Sequence, residues 1–136
     1  MPLTRLDHYS IRTGRLAETE KFYTTVLGLE VGPRPNFPFP GVWLYQGSVA
    51  VVHVVGFDPD NPAGLKDYLG DKPMVESGTG TIDHVAFVGS DVEAMRERFR
   101  SIGVPFRNHT VPTMNLEQVF VEDPNGITVE LNFPNA

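Results

Sequence analysis

The sequence predicts an α+β fold made of two βαβββ modules within one chain of 136 residues. Three observations support this prediction. A short segment recurs in the two halves, each copy is followed by a stretch of helical periodicity that ends at a glycine, and each helix is followed by a pattern typical of a β-hairpin. We place module one at about residues 1–56, a connector at about 57–80 and module two at about 81–136. Together they are expected to form a single domain.

The repeat begins each module. Residues 6–11 read Leu-Asp-His-Tyr-Ser-Ile, and residues 82–87 read Ile-Asp-His-Val-Ala-Phe. The two histidines, His8 and His84, are therefore 76 positions apart. The residues after each histidine have the alternating pattern of a β-strand, so both copies are expected to be the first strand of a module.

A helix is predicted after each first strand, at about residues 15–27 and again from about residue 92. Ser90 and Glu93 have the spacing of a capping box, and Gly28 and Gly103 are candidate C-terminal caps. The apolar residues that recur at helical spacing are Leu16, Tyr23 and Val26 in the first helix and Val92, Met95, Phe99 and Ile102 in the second.

A hairpin is predicted to close each module. Residues 42–45 and 49–55 flank a Gln-Gly-Ser turn, and residues 118–122 and 127–133 flank an Asp-Pro-Asn-Gly turn. The last strands correspond at an offset of 77, which superimposes His53 on Glu130. The connector, rich in proline and glycine, is expected to hold at most one short helix, near residues 65–69.

Composition excludes several classes of function. Eleven Lys and Arg residues against seventeen Asp and Glu residues give a net charge of -6 without a basic cluster, so nucleic acid is not an expected partner. No apolar run, such as Val49 to Val52, is longer than four residues, which is far too short to span a membrane, and Met1 to Leu6 does not resemble a secretory signal. We therefore expect a cytoplasmic protein. Without cysteine, any metal must be held by imidazole, carboxylate or water.

Four polar residues occupy repeat-equivalent strand positions: His8, His53, His84 and Glu130. If the duplicated sheet curls so that its first and last strands line a cup, these side chains converge at the centre. Imidazoles with one carboxylate form a typical set of ligands for a divalent transition metal. Taken singly, each residue could instead be an ordinary strand residue. His109 has no such partner and is interpreted as a loop residue.

The sequence resembles the vicinal oxygen chelate superfamily, which groups glyoxalase I, fosfomycin resistance enzymes, methylmalonyl-CoA epimerase, extradiol dioxygenases and bleomycin-binding proteins. The likeness covers essentially the whole chain. Its most specific parts are Leu6-Asp7-His8, Phe22-Tyr23-x-x-Val26-Leu27-Gly28-Leu29, Ile82-Asp83-His84 and Asp123-Pro124-Asn125-Gly126-x-x-x-Glu130.

The resemblance implies a curved mixed sheet with a central cup and a divalent metal ion (Fe, Mn, Ni, Co or Zn) at His8, His84 and Glu130, with His53 as a fourth ligand or as an acid or base. The expected activity is that of an isomerase or lyase, in which the metal chelates two adjacent substrate oxygens and stabilises an enolate. In glyoxalase-type isomerases the position of His53 usually holds a glutamate base. Here His53 would take that catalytic role, or Glu130 would act alone.

Two alternatives stay open. The first is an Fe(II) extradiol dioxygenase that cleaves a catechol-like substrate, although Phe120 stands where such enzymes are expected to have a tyrosine. The second is a metal-free protein that binds a drug or metabolite. A thiol transferase that acts on an epoxide, as in fosfomycin resistance, stays open together with the isomerase or lyase activity.

The expected partner is a small molecule, aromatic or bearing a carboxylate. The aromatic segment 36–43 could cover such a substrate or pack its rings into the core, and Arg12, Arg34 or Arg107 could pair with a carboxylate. Nothing in the sequence indicates a membrane or nucleic-acid partner. A twofold homodimer is the expected assembly, with the modules paired within one chain or between two.

Overall fold

The structure, a computed structural model, describes residues 5–69, 78–80 and 82–135. The chain divides into two compact units, residues 1–77 and 78–136. Residues 70–77, in the predicted connector, lie outside the described residues, as do residues 1–4 at the start of the predicted first module.

The first unit has the order β1 (Tyr9–Arg12), α1 (Leu16–Lys21), a π-helical turn (Phe22–Val26), β2 (Glu30–Gly32), β3 (Gly41–Gln46), β4 (Val49–Val55) and α2 (Pro62–Leu69). Its sheet has the strand order β1-β4-β3-β2, with β1 parallel to β4 and the other neighbours antiparallel. Tyr23, Leu44 and Val52 are fully buried. The helix is therefore held to the sheet by the apolar residues that its periodicity predicted.

The second unit repeats this order with β5 (His84–Val88), α3 (Val92–Ile102), β6 (Arg107–Val111), a 3₁₀ turn (Pro112–Met114), β7 (Leu116–Glu122) and β8 (Thr128–Pro134). Its sheet has the order β5-β8-β7-β6, again with one parallel pair, β5 and β8. Phe99, Val119 and Val129 are fully buried.

The α+β class and the two βαβββ modules are confirmed by this matching topology. The strand register shows the same correspondence residue by residue, since Ser10 pairs with His53 in the first unit and Ala86 pairs with Glu130 in the second. These pairs are related by the offsets of 76 and 77 that the sequence indicates. The short connector helix is present as α2 and begins at Pro62, a residue type suited to the first turn of a helix.

The first helix occupies its predicted span, and two other local predictions need correction. The first helix continues through a π-helical turn before Gly28, whose φ of 75° suits glycine. The cap of α3 is Asp91, not Ser90, because Asp91 Oδ1 accepts a hydrogen bond from the Ala94 amide at 3.2 Å. His109 lies within strand β6, not in a loop, and pairs in register with Gln118.

In the described part of the chain, no helix has both the length and the apolar character needed to cross a bilayer.

Candidate functional site

His8 and His53 form one pair of predicted site residues, within the first unit. His53 lies on β4 and is 7% exposed, and His8 lies immediately before β1. Their rings stack with centroids 3.6 Å apart and planes 13° from parallel. Trp43, the register partner of His53 on β3, stacks on His53 at 3.8 Å. The imidazole of His53 is therefore held between two other rings.

The hydrogen bonding of His53 fixes which ring nitrogen is free. Its Nε2 lies 3.1 Å from the carbonyl oxygen of Ala50, and since a carbonyl only accepts, Nε2 must donate. Nδ1 then carries the lone pair. Burial lowers the pKa of His53 and the adjacent His8 lowers it further, whereas the bond to Ala50 opposes these effects. His53 is thus a neutral imidazole at pH 7, able to accept a proton at Nδ1.

Stacking also limits what this pair can bind. Ring nitrogens bind metals in the plane of the ring at about 2.1 Å. Because the planes of His8 and His53 are nearly parallel and 3.6 Å apart at their centroids, their lone pairs do not point to one centre. The arrangement favours one of these residues as a ligand and the other as a neighbouring acid or base.

His84 and Glu130 form the second pair, within the second unit. His84 Nε2 lies 3.5 Å from Glu130 Oε1. Two donors that each bind one ion at about 2.1 Å with a tetrahedral angle lie about 3.4 Å apart. The spacing of this imidazole and carboxylate therefore fits two ligands of a single divalent ion, and the donor chemistry suits the transition metals named above.

The aspartate before each histidine orients the ring. Asp7 Oδ2 lies 2.6 Å from His8 Nδ1, and Asp83 Oδ1 lies 2.8 Å from His84 Nδ1. When Nδ1 donates a hydrogen bond to the carboxylate, Nε2 carries the lone pair in both rings and can bind a metal, an arrangement common in metal-binding histidines. The bond to His8 lowers the pKa of Asp7, and the bond to Asp83 raises the pKa of His84, which Glu130 reinforces.

A row of polar side chains ends at Glu130. His109 Nδ1 bonds to Gln118 Oε1 at 2.8 Å, Gln118 Nε2 donates to Asn132 Oδ1 at 3.0 Å, and Asn132 Nδ2 donates to Glu130 Oε2 at 2.9 Å. The register explains the row, since His109, Gln118 and Asn132 lie opposite one another on β6, β7 and β8. This polar row holds Oε2, while Oε1 faces His84.

Each predicted site residue therefore has a defined place, in two separate pairs. Among residues 5–69, 78–80 and 82–135, no group of three or more His, Asp or Glu side chains is arranged to hold a metal ion. The four-residue site stays a prediction. Sequence reasoning missed the orienting role of Asp7 and Asp83, although the repeated Asp-His dipeptide was its signal, and it missed the polar row.

A small cavity lies beside the first pair. It has a volume of about 100 Å³ and is lined in part by His8, His53, Trp43, Phe37 and Arg34. Phe37 and Phe39 both line this cavity and both pack with Val55, Phe39 being 5% exposed. The rings therefore contribute to the core, and a role of this segment in covering a substrate stays a prediction. Arg107, another candidate for pairing with a carboxylate, is the first residue of β6 and lies over the ring of Phe120 at 4.2 Å in the second unit.

Comparison with known proteins gives consistent results. The Arabidopsis thaliana protein Glyoxylase I 4 is 23% identical over 132 residues, which is 95% of this chain and 70% of that protein. The crystal structure of lactoylglutathione lyase from Agrobacterium tumefaciens matches with a TM-score of 0.63 and 22% identity, over 98% of this chain and 96% of the other. TnmS3, an antibiotic binding protein from Streptomyces sp. CB03234, matches with a TM-score of 0.68 and 17% identity, over 99% of both chains.

The two structural matches are below 25% identity, so they support the fold and leave the activity to other evidence. The family model for the Glyoxalase/Bleomycin resistance protein/Dioxygenase superfamily matches residues 5–131. With the duplicated βαβββ topology, this match establishes that the chain belongs to the Glyoxalase/Bleomycin resistance protein/Dioxygenase superfamily.

Proposed function

We propose that this protein is a metal-dependent isomerase or lyase that acts on a small substrate with two adjacent oxygens. His8, His84 and Glu130 would hold the ion, and His53 would serve as the acid or base. The observation that carries the proposal is the distance of 3.5 Å between His84 Nε2 and Glu130 Oε1, with Nε2 freed by the bond from His84 Nδ1 to Asp83.

The chemistry follows from what the side chains can do. A divalent ion at these ligands would polarise a substrate carbonyl and its neighbouring oxygen, which makes an adjacent C–H bond more acidic. Neutral His53 accepts a proton at Nδ1 while its Nε2 remains bonded to Ala50. The stack with His8 and Trp43 holds the ring in place, so the accepting nitrogen needs little reorganisation.

An isomerase or lyase is the first candidate, supported by the curated relative that matches 95% of this chain and is named Glyoxylase I 4. A ring-cleaving Fe(II) dioxygenase is the second candidate, favoured by the aromatic lining of the cavity beside His53. Oxygen consumption on addition of a catechol to iron-loaded protein separates the two. A twofold homodimer is part of the proposal, and sedimentation equilibrium measures it.

The proposal is tested by metal binding. Purified protein is stripped with chelator, loaded separately with Ni, Co, Mn, Zn and Fe(II), and analysed for bound metal after gel filtration. We expect about one ion per chain for the wild type and strongly reduced loading for His84→Ala and Glu130→Gln. Glu122→Gln is the matched control, because Glu122 is an exposed carboxylate on the neighbouring strand β7.

Undiminished metal in both site variants would show that the ligand assignment is wrong. Wild-type protein that binds none of the five ions would favour the alternative of a metal-free protein that binds a drug or metabolite. The role of His53 is tested separately. His53→Ala is expected to keep its metal and lose turnover, and loss of metal from this variant would instead make His53 a ligand.

A further inference from the structure

The cavity in the first unit has two properties that define a ligand. Its lining is largely aromatic, with Phe37 and Trp43 tilted toward each other at 6.4 Å and Trp43 continuing into the stack with His53 and His8. Its volume of about 100 Å³ is smaller than the roughly 150 Å³ of an enclosed cavity that binds benzene. The cavity can therefore enclose only part of a ring the size of benzene, and the rest of such a ligand would lie outside it.

Arg34 is the charged residue that lines this cavity. Its guanidinium carbon lies 5.3 Å from the ring centroid of Phe37 and 5.5 Å from that of Phe39, and its Nη2 donates to the carbonyl oxygen of Phe39 at 3.0 Å. Gly41 makes room for the group, since a Cβ at that position would lie 3.2 Å from Nη2. The guanidinium is thus fixed in place before any ligand arrives.

The charge of Arg34 is not neutralised locally. Within the described ranges, Arg34 has no carboxylate partner, whereas Arg15, Arg96 and Arg100 are each paired with glutamate. A guanidinium has five N–H donors, and the single bond to Phe39 leaves others available. A fixed planar fork of donors is the group that proteins use to bind carboxylates in two-point fashion.

We propose that this cavity binds a small carboxylic acid with an attached flat group, the carboxylate pairing with Arg34 and the flat group packing against Phe37 and Trp43. The inference deepens the proposed function, and its meaning for catalysis rests on that function because the same cavity is lined by His8 and His53. The binding itself requires no metal. It therefore names the class of substrate or product that this site selects, a small aromatic or conjugated carboxylate.

The test uses an intrinsic probe, because Trp43 is the one tryptophan in the sequence. Metal-stripped wild-type protein is titrated with benzoate, and in parallel with benzyl alcohol, which has the same ring without the charge. We expect saturable quenching of Trp43 fluorescence by benzoate and about 10-fold to 100-fold weaker binding of benzyl alcohol, the factor typical of hydrogen bonds to charged groups. Equal affinities for the two compounds would overturn the inference without any mutation.

Variants give a second, independent readout. Arg34→Gln is expected to weaken benzoate binding by the same factor and to leave benzyl alcohol binding unchanged. Arg34→Lys keeps the charge, removes the planar fork, and should lie between Arg34→Gln and the wild type. Arg107→Gln is the matched control, because Arg107 also rests on an aromatic ring, Phe120, in the other unit. Circular dichroism confirms that each variant is folded.

Unchanged benzoate affinity in folded Arg34→Gln would refute the assignment, as would quenching by benzoate that never saturates. Metal loading of the wild type, measured beside benzoate binding, separates this inference from the proposed function. If benzoate binds through Arg34 while no metal binds to the wild type, the cavity assignment stands and the metal-dependent function fails. If metal binds normally and benzoate does not, the reverse conclusion holds.

Discussion

Removing the side-chain amide of Asn132 should weaken metal binding without unfolding the protein. Asn132 Nδ2 donates to Glu130 Oε2 at 2.9 Å, and the Glu130 side chain is 14% exposed, so water replaces this bond only in part. A hydrogen bond to a charged group contributes about 1.5–3 kcal/mol, which corresponds to roughly 10-fold to 150-fold in an equilibrium constant. Groups that support metal ligands from behind typically change affinity by about 10-fold to 100-fold.

We therefore expect Asn132→Ala to raise the dissociation constant for Ni or Mn by about 10-fold to 100-fold, measured by isothermal titration calorimetry on stripped protein. The melting temperature of the metal-free protein should change little by comparison. Gln118→Ala should show a smaller effect of the same sign, because Gln118 acts on Glu130 only through Asn132.

Asn108→Ala is the matched control. Asn108 is also an asparagine of the second sheet, but it neighbours His109 on β6, so its side chain lies on the opposite face, where it accepts a hydrogen bond from Arg96. Metal affinity that is the same in Asn132→Ala and the wild type, or that falls equally in both variants, would refute the idea that the polar row positions Glu130.

Two further predictions concern stability. Asp123 is buried, and its Oδ1 accepts hydrogen bonds from the backbone amides of Asn125 at 2.8 Å and Ile127 at 2.9 Å. Asp123→Ala should therefore lower the free energy of unfolding, measured in urea, by about 1–3 kcal/mol for each amide left unpaired. A loss below about 0.5 kcal/mol would contradict this expectation. Hydrogen bonds to Arg96 and Arg100 lower the pKa of Glu93 below 4.5, so its stabilisation is complete above that pH and is lost as the pH falls through the lowered value. Unfolding curves from pH 7 to pH 3 should therefore show less acid sensitivity in E93Q than in the wild type, and identical pH profiles would count against the assignment.

The duplicated fold could be predicted because its signals are local and occur twice. The Asp-His repeat, the apolar spacing of Tyr23 and Phe99 and the hairpin turns all have direct physical counterparts in the two sheets. Strand β6 could not be predicted in the same way. Its sequence, Arg-Asn-His-Thr-Val, has no alternation of apolar and polar residues, and four of the five residues are exposed. Pairing with β7 therefore determines this strand, rather than its own hydrophobic pattern.

The sequence predicted which residues belong to the candidate site, but not how their side chains are arranged. An offset of 77 identifies His53 and Glu130 as equivalent, and the structure indeed places them at matching register positions. The sequence does not determine ring planes or hydrogen-bond partners, which depend on the neighbouring strands. The stack of His53 and the tether of Glu130 to Asn132 both arise from such cross-strand neighbours.

The two units have the same strand order, but the side chains around their fourth strands, β4 and β8, differ. Trp43 pairs in register with His53, and Phe120 pairs in register with Glu130, so an aromatic ring stands at the equivalent place in both sheets. In the first unit that ring stacks on an imidazole, whereas in the second it stacks under Arg107.

This difference has a chemical reason. A flat neutral imidazole gains from lying against an aromatic face, but a carboxylate does not, since the face of the ring is negative. Glu130 instead accepts a hydrogen bond from the side-chain amide of Asn132, and its other oxygen lies 3.5 Å from His84 Nε2. Replacing Glu130 with histidine would therefore not recreate the stack of Trp43 on His53, because Arg107 already lies over the ring of Phe120. The two units thus place equivalent positions in different surroundings. In the proposals above, the cavity of the first unit would recognise a flat ligand, and His84 and Glu130 would hold the cation together with His8.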